Sequence, residues 1–143
     1  MTRRDVTIRH TELTTLPESV WQEGSLEVFN VSNNKLTGIS DRIRNIKGVR
    51  LVDLAHNEIT SLPDVIGEID VSDYLYLSDN RLTELPASIG KLTRLRYLNV
   101  SDNQLARLPQ SIGDLVGLIE LRANGNRLLS LPDSLGRLAA LRE

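Results

Sequence analysis

The chain has 143 residues, with 17 Lys and Arg against 19 Asp and Glu for a formal charge of −2, 40% hydrophobic and 3% aromatic residues, and no cysteine. That size and balance describe one soluble domain, and near-neutral charge without a basic run argues against nucleic acid or an anionic membrane as the main partner, since both need a concentrated cationic face. The lack of cysteine excludes a disulfide scaffold, a thiol nucleophile and a Cys-ligated zinc site.

Behind the start Met1-Thr2-Arg3-Arg4-Asp5 there is no apolar leader, and nowhere do about 18 apolar residues run together. The expected location is cytoplasmic, the alternative being a secreted effector without a cleavable signal. One internal period organises the rest. Asn34, Asn57, Asn80, Asn103 and Asn126 are each 23 residues apart, and all five prolines, Pro17, Pro63, Pro86, Pro109 and Pro132, share a second register of the same period. Ser40 fills the vacant proline slot.

In chain order the units are 3–25, 26–48, 49–71, 72–94, 95–117 and 118–140, within one repeat domain spanning 1–143. Unit 3–25 is degenerate: Thr11 sits in the Asn slot, and Trp21 and Glu23 stand where Gly and Leu are usual. It reads as an N-terminal cap, with Trp21 shielding the first layer or, alternatively, serving as a contact site. Unit 72–94 opens on Ser72 after Val71, a polar residue at an apolar position, which predicts a small local distortion. Residues 141–143 open a seventh unit. At that end Leu135, Leu138 and Leu141 are expected to face nothing, so that the chain either is part of a longer protein or meets another copy there.

Within each unit, positions 4 and 6 are apolar between polar neighbours, the period of a short strand with one buried face. The Asn at position 9 then enters a turn, where its amide can bond backbone groups that would otherwise be buried unpaired. Repeated in register, the five Asn predict a structural ladder. The return half carries a proline, which holds the preceding residue extended, and a glycine expected to turn tightly. No unit can bury its own leucines, of which there are 25, but stacked neighbours bury each other's. The predicted architecture is an α/β repeat solenoid, curved and right-handed, with short parallel strands on the concave face and short helical or irregular segments on the convex face.

The unit Leu95-x-x-Leu98-x-Val100-x-x-Asn103-x-Leu105-x-x-Leu108-Pro109-x-x-Ile112-Gly113-x-Leu115, with Gly67, Gly90 and Gly136 in register with Gly113, resembles the 23-residue leucine-rich repeat of intracellular type. It is similar to the Ras-suppressor, scribble-like and plant Ras-group families and to bacterial repeat proteins. The resemblance implies a non-enzymatic scaffold that binds proteins on its concave face, often beside a kinase, GTPase or ligase domain. It fixes no particular residue as functional.

Concave side chains come from positions 2, 3, 5, 7 and 8, and adjacent strands stand about 4.8 Å apart, so each position defines a column. Position 2 reads Arg4, Glu27, Arg50, Asp73, Arg96 and Ile119, an alternation that predicts a ladder of cross-strand ion pairs. Position 3 places Val28, Leu51, Tyr74 and Tyr97 side by side, and position 5 adds Tyr76 beside Asp53 and Asn99. Tyrosine combines a large rigid apolar area with a polar tip and is enriched at binding hot spots. The candidate site is therefore Val28, Leu51, Tyr74, Tyr76 and Tyr97, rimmed by Arg50, Asp53, Arg96, Asn99 and Arg122. The competing reading is that the tyrosines are there for strand propensity and cover one another.

Enzyme readings are weaker. His10 and His56 share position 8 two units apart, with backbones separated by roughly 10 Å, too far to ligate one zinc. His56, Asp79 and Asp102 run consecutively down that column and read as solvated turn residues in a face too shallow to shift a pKa. No nucleophile motif or phosphate loop is present, and no cofactor or metal is expected. The function read from the sequence is a protein or peptide interaction module. The alternatives are a structural unit that self-associates, as a homodimer through its C-terminal end, and a regulatory fragment of a larger kinase, GTPase or ligase protein.

Overall fold

A computed structural model describes residues 4–22 and 24–143. Glu23 and residue 3, both assigned to the N-terminal cap, lie outside the described residues. The strands are β1 (Arg4–Thr7), β2 (Gly24–Asn30), β3 (Ile46–Lys47), β4 (Leu51–Asp53), β5 (Tyr74–Tyr76), β6 (Tyr97–Asn99) and β7 (Glu120–Arg122). In the order β1-β2-β4-β5-β6-β7 they form one parallel, unclosed sheet, while β3 pairs with the start of β2. From β2 onward the register joins residues 23 apart: Val28 to Leu51, Leu51 to Tyr74, Tyr74 to Tyr97 and Tyr97 to Glu120. The molecule is a curved repeat solenoid. β1 slips at its start, pairing Arg4 with Leu26 before Val6 and Phe29 resume the common spacing, and the short β2–β3 pairing is offset in the same way, Gly24 to Ile46 and Ser25 to Lys47.

The convex side is built from 3-10 turns, at Glu18–Trp21, Asp41–Asn45, Asp64–Glu68, Ala87–Lys91, Gln110–Asp114 and Asp133–Arg137. Each begins after a residue with φ between −61° and −69° and ψ between 141° and 150°. A proline ring enforces that φ, which is why proline recurs there. Ser40 adopts the same angles and compensates with its hydroxyl, which accepts a hydrogen bond from the Arg42 N–H at 3.1 Å.

Between the two faces lies a continuous core in which Phe29, Leu36, Leu54, Ile59, Leu75, Leu77, Leu82 and Ile89 are fully buried. Trp21 is 2% exposed and stacks on Phe29 with ring centroids 5.7 Å apart, so it shields the first layer and offers no contact surface. At Ser72 the expected distortion takes a definite form. Val71 is buried in place of Ser72, and Asp70 before it takes φ +49°, a left-handed conformation that brings the chain back into register.

The asparagines tie successive rungs together. Asn80 Nδ2 donates to the carbonyls of Leu54, Leu77 and Ser78 at 3.0–3.2 Å, and its Oδ1 accepts from the Ile59 N–H at 3.0 Å. Asn57 and Asn103 are bonded in the same way, and Asn126 repeats the pattern in a more exposed position. Asn34 accepts instead from the Thr11 N–H and hydroxyl, so the threonine in the first Asn slot still joins the ladder.

Two expectations are corrected. The repeat glycines are not turning residues. A Cβ on Gly67, Gly90 or Gly113 would stand 2.4–2.6 Å from the carbonyl oxygen of Ser88, Ser111 or Ser134 in the next rung, so glycine is required there for close approach between turns. Gly136 meets nothing within 4 Å. The second correction concerns the C-terminal leucines. Leu138 is buried, and Leu135 and Leu141 are half-buried against the core. Residues 141–143 continue the backbone ladder, Arg142 N–H donating to Ile119 O at 2.8 Å and Leu121 N–H to Glu143 O at 2.7 Å. The exposed leucines are instead Leu129 and Leu131, at 98% and 60%.

Candidate protein-binding face

The strands are three residues long over the middle of the sheet, and each buries its central side chain, leaving its first and last on the open face. In β5 this points Tyr74 and Tyr76 outward on either side of buried Leu75, and in β6 it does the same for Tyr97 and Asn99 around Leu98. Tyr74 and Tyr97, laterally paired, stack with centroids 4.7 Å apart and planes at 12°. Tyr76 leans onto Tyr74 at 5.7 Å and 38°. Each of the three tyrosines is half-buried. The cluster lines a groove of about 420 Å3 with Asn99, Glu120 and Arg122.

The rim is more tightly knitted than its column composition suggests. Arg50 Nε donates to Asp73 at 2.7 Å, a pair of the position 2 alternation, and Arg122 Nε is bonded to Glu120. Arg4 turns to the Gln22 carbonyl at 3.1 Å, and Arg96 is exposed. Asn99 Oδ1 accepts from the Ser101 N–H and hydroxyl, so only its amide NH2 group faces outward bonding. Asp53 lines an adjoining groove of about 430 Å3 that shares Tyr76 and Asn99 with the first. Val28 and Leu51 extend the position 3 column away from the tyrosines, Leu51 directly beside Tyr74 and Val28 one strand further.

Burial shapes the ionisation of two groups here. It raises the Asp53 pKa, against the N–H of Ala55, which favours the charged form. It also raises that of Tyr76, helped by Tyr74, Asp53 and Glu120, so the phenol stays protonated and able to donate. Glu120 was not among the site residues read from the sequence. Its signal was its place next in the column after Tyr97.

The composition of position 8 has a backbone cause. His10, Asn33, His56, Asp79, Asp102 and Gly125 all take φ between +52° and +69°, so this position turns the backbone through the left-handed region. Asn, Asp, His and Gly tolerate that conformation best, which explains the polar short-chain composition. His56 Nδ1 and Asp79 Oδ2 are 2.7 Å apart, both exposed, and among the described residues no three or more His, Asp or Glu gather into a metal-sized site. No helix is long and apolar enough to cross a membrane among the described residues.

Comparison with known proteins places this geometry. A leucine rich repeat model matches residues 24–82, and a leucine-rich repeat region model matches 73–143. No curated protein matches the chain. Among solved structures, the plant peptide hormone receptor RGFR1 in complex with RGF2 is similar at 31% identity and a TM-score of 0.85, covering 97% of this chain and 23% of the receptor. The ectodomain of the Arabidopsis thaliana receptor kinase GASSHO1/SCHENGEN3, in complex with Casparian strip integrity factor 2, is similar at 31% identity and a TM-score of 0.76, over 90% of this chain and 16% of that one. A leucine-rich repeat protein of Leptospira interrogans is similar at 28% identity and a TM-score of 0.67, over 92% of this chain and 39% of that one. The chain thus spans well under half the length of each of these structures. The fold is typical of protein-protein interaction modules and its family is generally non-enzymatic. By its repeat, its register and both family models, the chain belongs to the leucine-rich repeat family.

Proposed function

We propose that this chain is a non-enzymatic interaction module that holds an extended peptide or protein segment on its concave face, with Tyr74, Tyr76 and Tyr97 as the anchor. The observation that carries this reading is the stacked tyrosine cluster itself, three aromatic rings on an open sheet face beside a groove of about 420 Å3. Rigid aromatics present large contact area with little rotamer freedom to lose, which suits a hot spot. The two plant receptors similar to this chain were solved with ligands bound, which supports the same use of the fold here. Leu51 and Val28 would lengthen the apolar strip, while Arg50, Arg96, Asn99 and Arg122 would supply the polar rim.

The test is selection of a displayed peptide library on the immobilised chain, run in parallel on the Tyr74→Ala/Tyr97→Ala double variant. Peptides enriched on the wild type should be lost on the variant, with its melting temperature nearly unchanged. Equal enrichment on both proteins would move the site elsewhere, and unfolding of the variant would show that the rings belong to the core.

A further inference from the structure

The tyrosine face carries one charge that its architecture does not need. At position 5, Asn30 and Asn99 each use Oδ1 to clasp the backbone two residues on, accepting from Ser32 N–H and Ser101 N–H at 3.0 Å. Asp53 makes the same clasp, Oδ1 accepting from Ala55 N–H at 2.9 Å. An amide performs this task in two other rungs of the same molecule. At residue 53 the second oxygen and the negative charge are therefore surplus to the fold.

Nor does the fold reward that charge. Burial opposes the ionised form more than the Ala55 N–H and the Coulombic attraction of His56 and Arg9 favour it, and no ion pair among the described residues includes Asp53. A half-buried carboxylate that no cation bonds directly gains from one that does. The two basic side chains that act on it at a distance make their hydrogen bonds elsewhere: Arg9 Nε donates to Ser32 Oγ at 3.2 Å, and His56 is bonded to Asp79. What remains is the second Asp53 oxygen, in a groove that Tyr76 and Asn99 border on one side and Arg9, His10 and His56 on the other. A planar guanidinium satisfies both features, donating along its edge to the carboxylate and presenting its face or edge to the aromatic ring.

We propose that Asp53 and Tyr76 form a subsite for an arginine side chain of the bound segment, next to the Tyr74–Tyr97 stack that holds an apolar neighbour. This rests on the tyrosine face being the docking surface and adds to it the charge of the occupant. Because Tyr76 and Asn99 border both grooves, one extended segment can fill the two together.

Three capped heptapeptides test the proposal, each alternating glycine and phenylalanine around a central arginine, glutamine or glutamate, titrated at low salt and followed by amide chemical shifts. The arginine peptide should bind at least about fivefold more tightly than the glutamine peptide, with the glutamate peptide weakest. Asp53→Asn retains the clasp and should bring the arginine peptide down to the glutamine level, while shifts at Tyr74 and Tyr97 persist. Glutamate binding as tightly as arginine, which Arg9 and Arg122 would produce if they governed the face, overturns the subsite. So does an arginine preference that survives Asp53→Asn. If Tyr74→Ala/Tyr97→Ala binds all three peptides like the wild type, or no peptide shifts any resonance, the tyrosine reading falls along with the subsite. Loss of binding in that double variant together with an unmoved preference in Asp53→Asn removes the subsite alone.

Discussion

An asparagine side chain in this molecule does the work of several backbone partners at once. Asn80 satisfies three carbonyls and one N–H drawn from two rungs, and it is buried. Asn80→Ala leaves the Ile59 N–H unpaired and removes one of the two donors to each carbonyl, since Leu54, Leu77 and Ser78 O still accept from Asn57, Asn103 and His56; an unmade buried hydrogen bond costs about 1–3 kcal/mol. Urea unfolding should show a loss of that order, against a much smaller one for Asn126→Ala, where the same bonds form in a more exposed place. Asp53 supplies the opposite case. Its pKa is raised by folding, so the stability linked to its protonated form is full below the unfolded-chain value and is lost as pH rises through the folded-state value. Asp53→Asn should therefore match the wild type in melting temperature under acid and exceed it at neutral pH. A lower melting temperature at neutral pH would mean that the charge has a structural partner after all.

Residue types read from the sequence told more about spacing than about cause. The 23-residue period was legible because every rung repeats it, and it fixes which side chains are lateral neighbours. Position 8, counted among the concave columns, was read at His56, Asp79 and Asp102 as solvated turn residues, which they are, but the composition His, Asn, His, Asp, Asp and Gly did not disclose its cause. That composition records a left-handed backbone.

At the scale of the element, the 3-10 turns stack through glycine against the carbonyl of the next turn. Sequence reading assigned these glycines to conformational freedom, since the residue alone does not distinguish a turn from a close approach. The two are separable by substitution. Gly90→Ala places a methyl group 2.6 Å from Ser111 O and 2.8 Å from its Cβ, and crowding of this kind costs about 1–3 kcal/mol. Gly136→Ala meets nothing and should leave the unfolding midpoint unchanged. Equal effects at both positions would return the glycines to a turning role. The first strand shows a second limit of pattern reading. Its slipped pairing follows from a cap rung whose sequence departs from the common unit, so the shared register carries less information there.

Taken whole, the molecule is nearly one-dimensional: along the path β1-β2-β4-β5-β6-β7 each strand pairs with the next, and the turns from Asp64–Glu68 onward pack on one another. Stability in such an array is a sum of rung terms and nearest-neighbour interfaces. Leu77→Ala, at a fully buried position, should cost about 2–5 kcal/mol. Native-state hydrogen exchange should show where that loss goes. The amides of Leu54 and Leu77, which bond across the affected rungs, should lose the most protection, and that of Arg142 the least. Uniform loss along the chain would instead mark a single cooperative unit.

The invariant lateral step has a consequence for redesign. Because rungs meet through the same Asn bonds and the same glycine seat, duplicating residues 95–117 in tandem would splice a copied segment between junctions already matched to receive it, buried Leu95 and Leu118 holding the same place in their units. The aromatic row would lengthen by one inter-strand spacing of about 4.8 Å, carrying Arg122 that much further from Asp53. Partner choice on this scaffold can thus be regulated by distance, in fixed increments, without altering any contacting side chain.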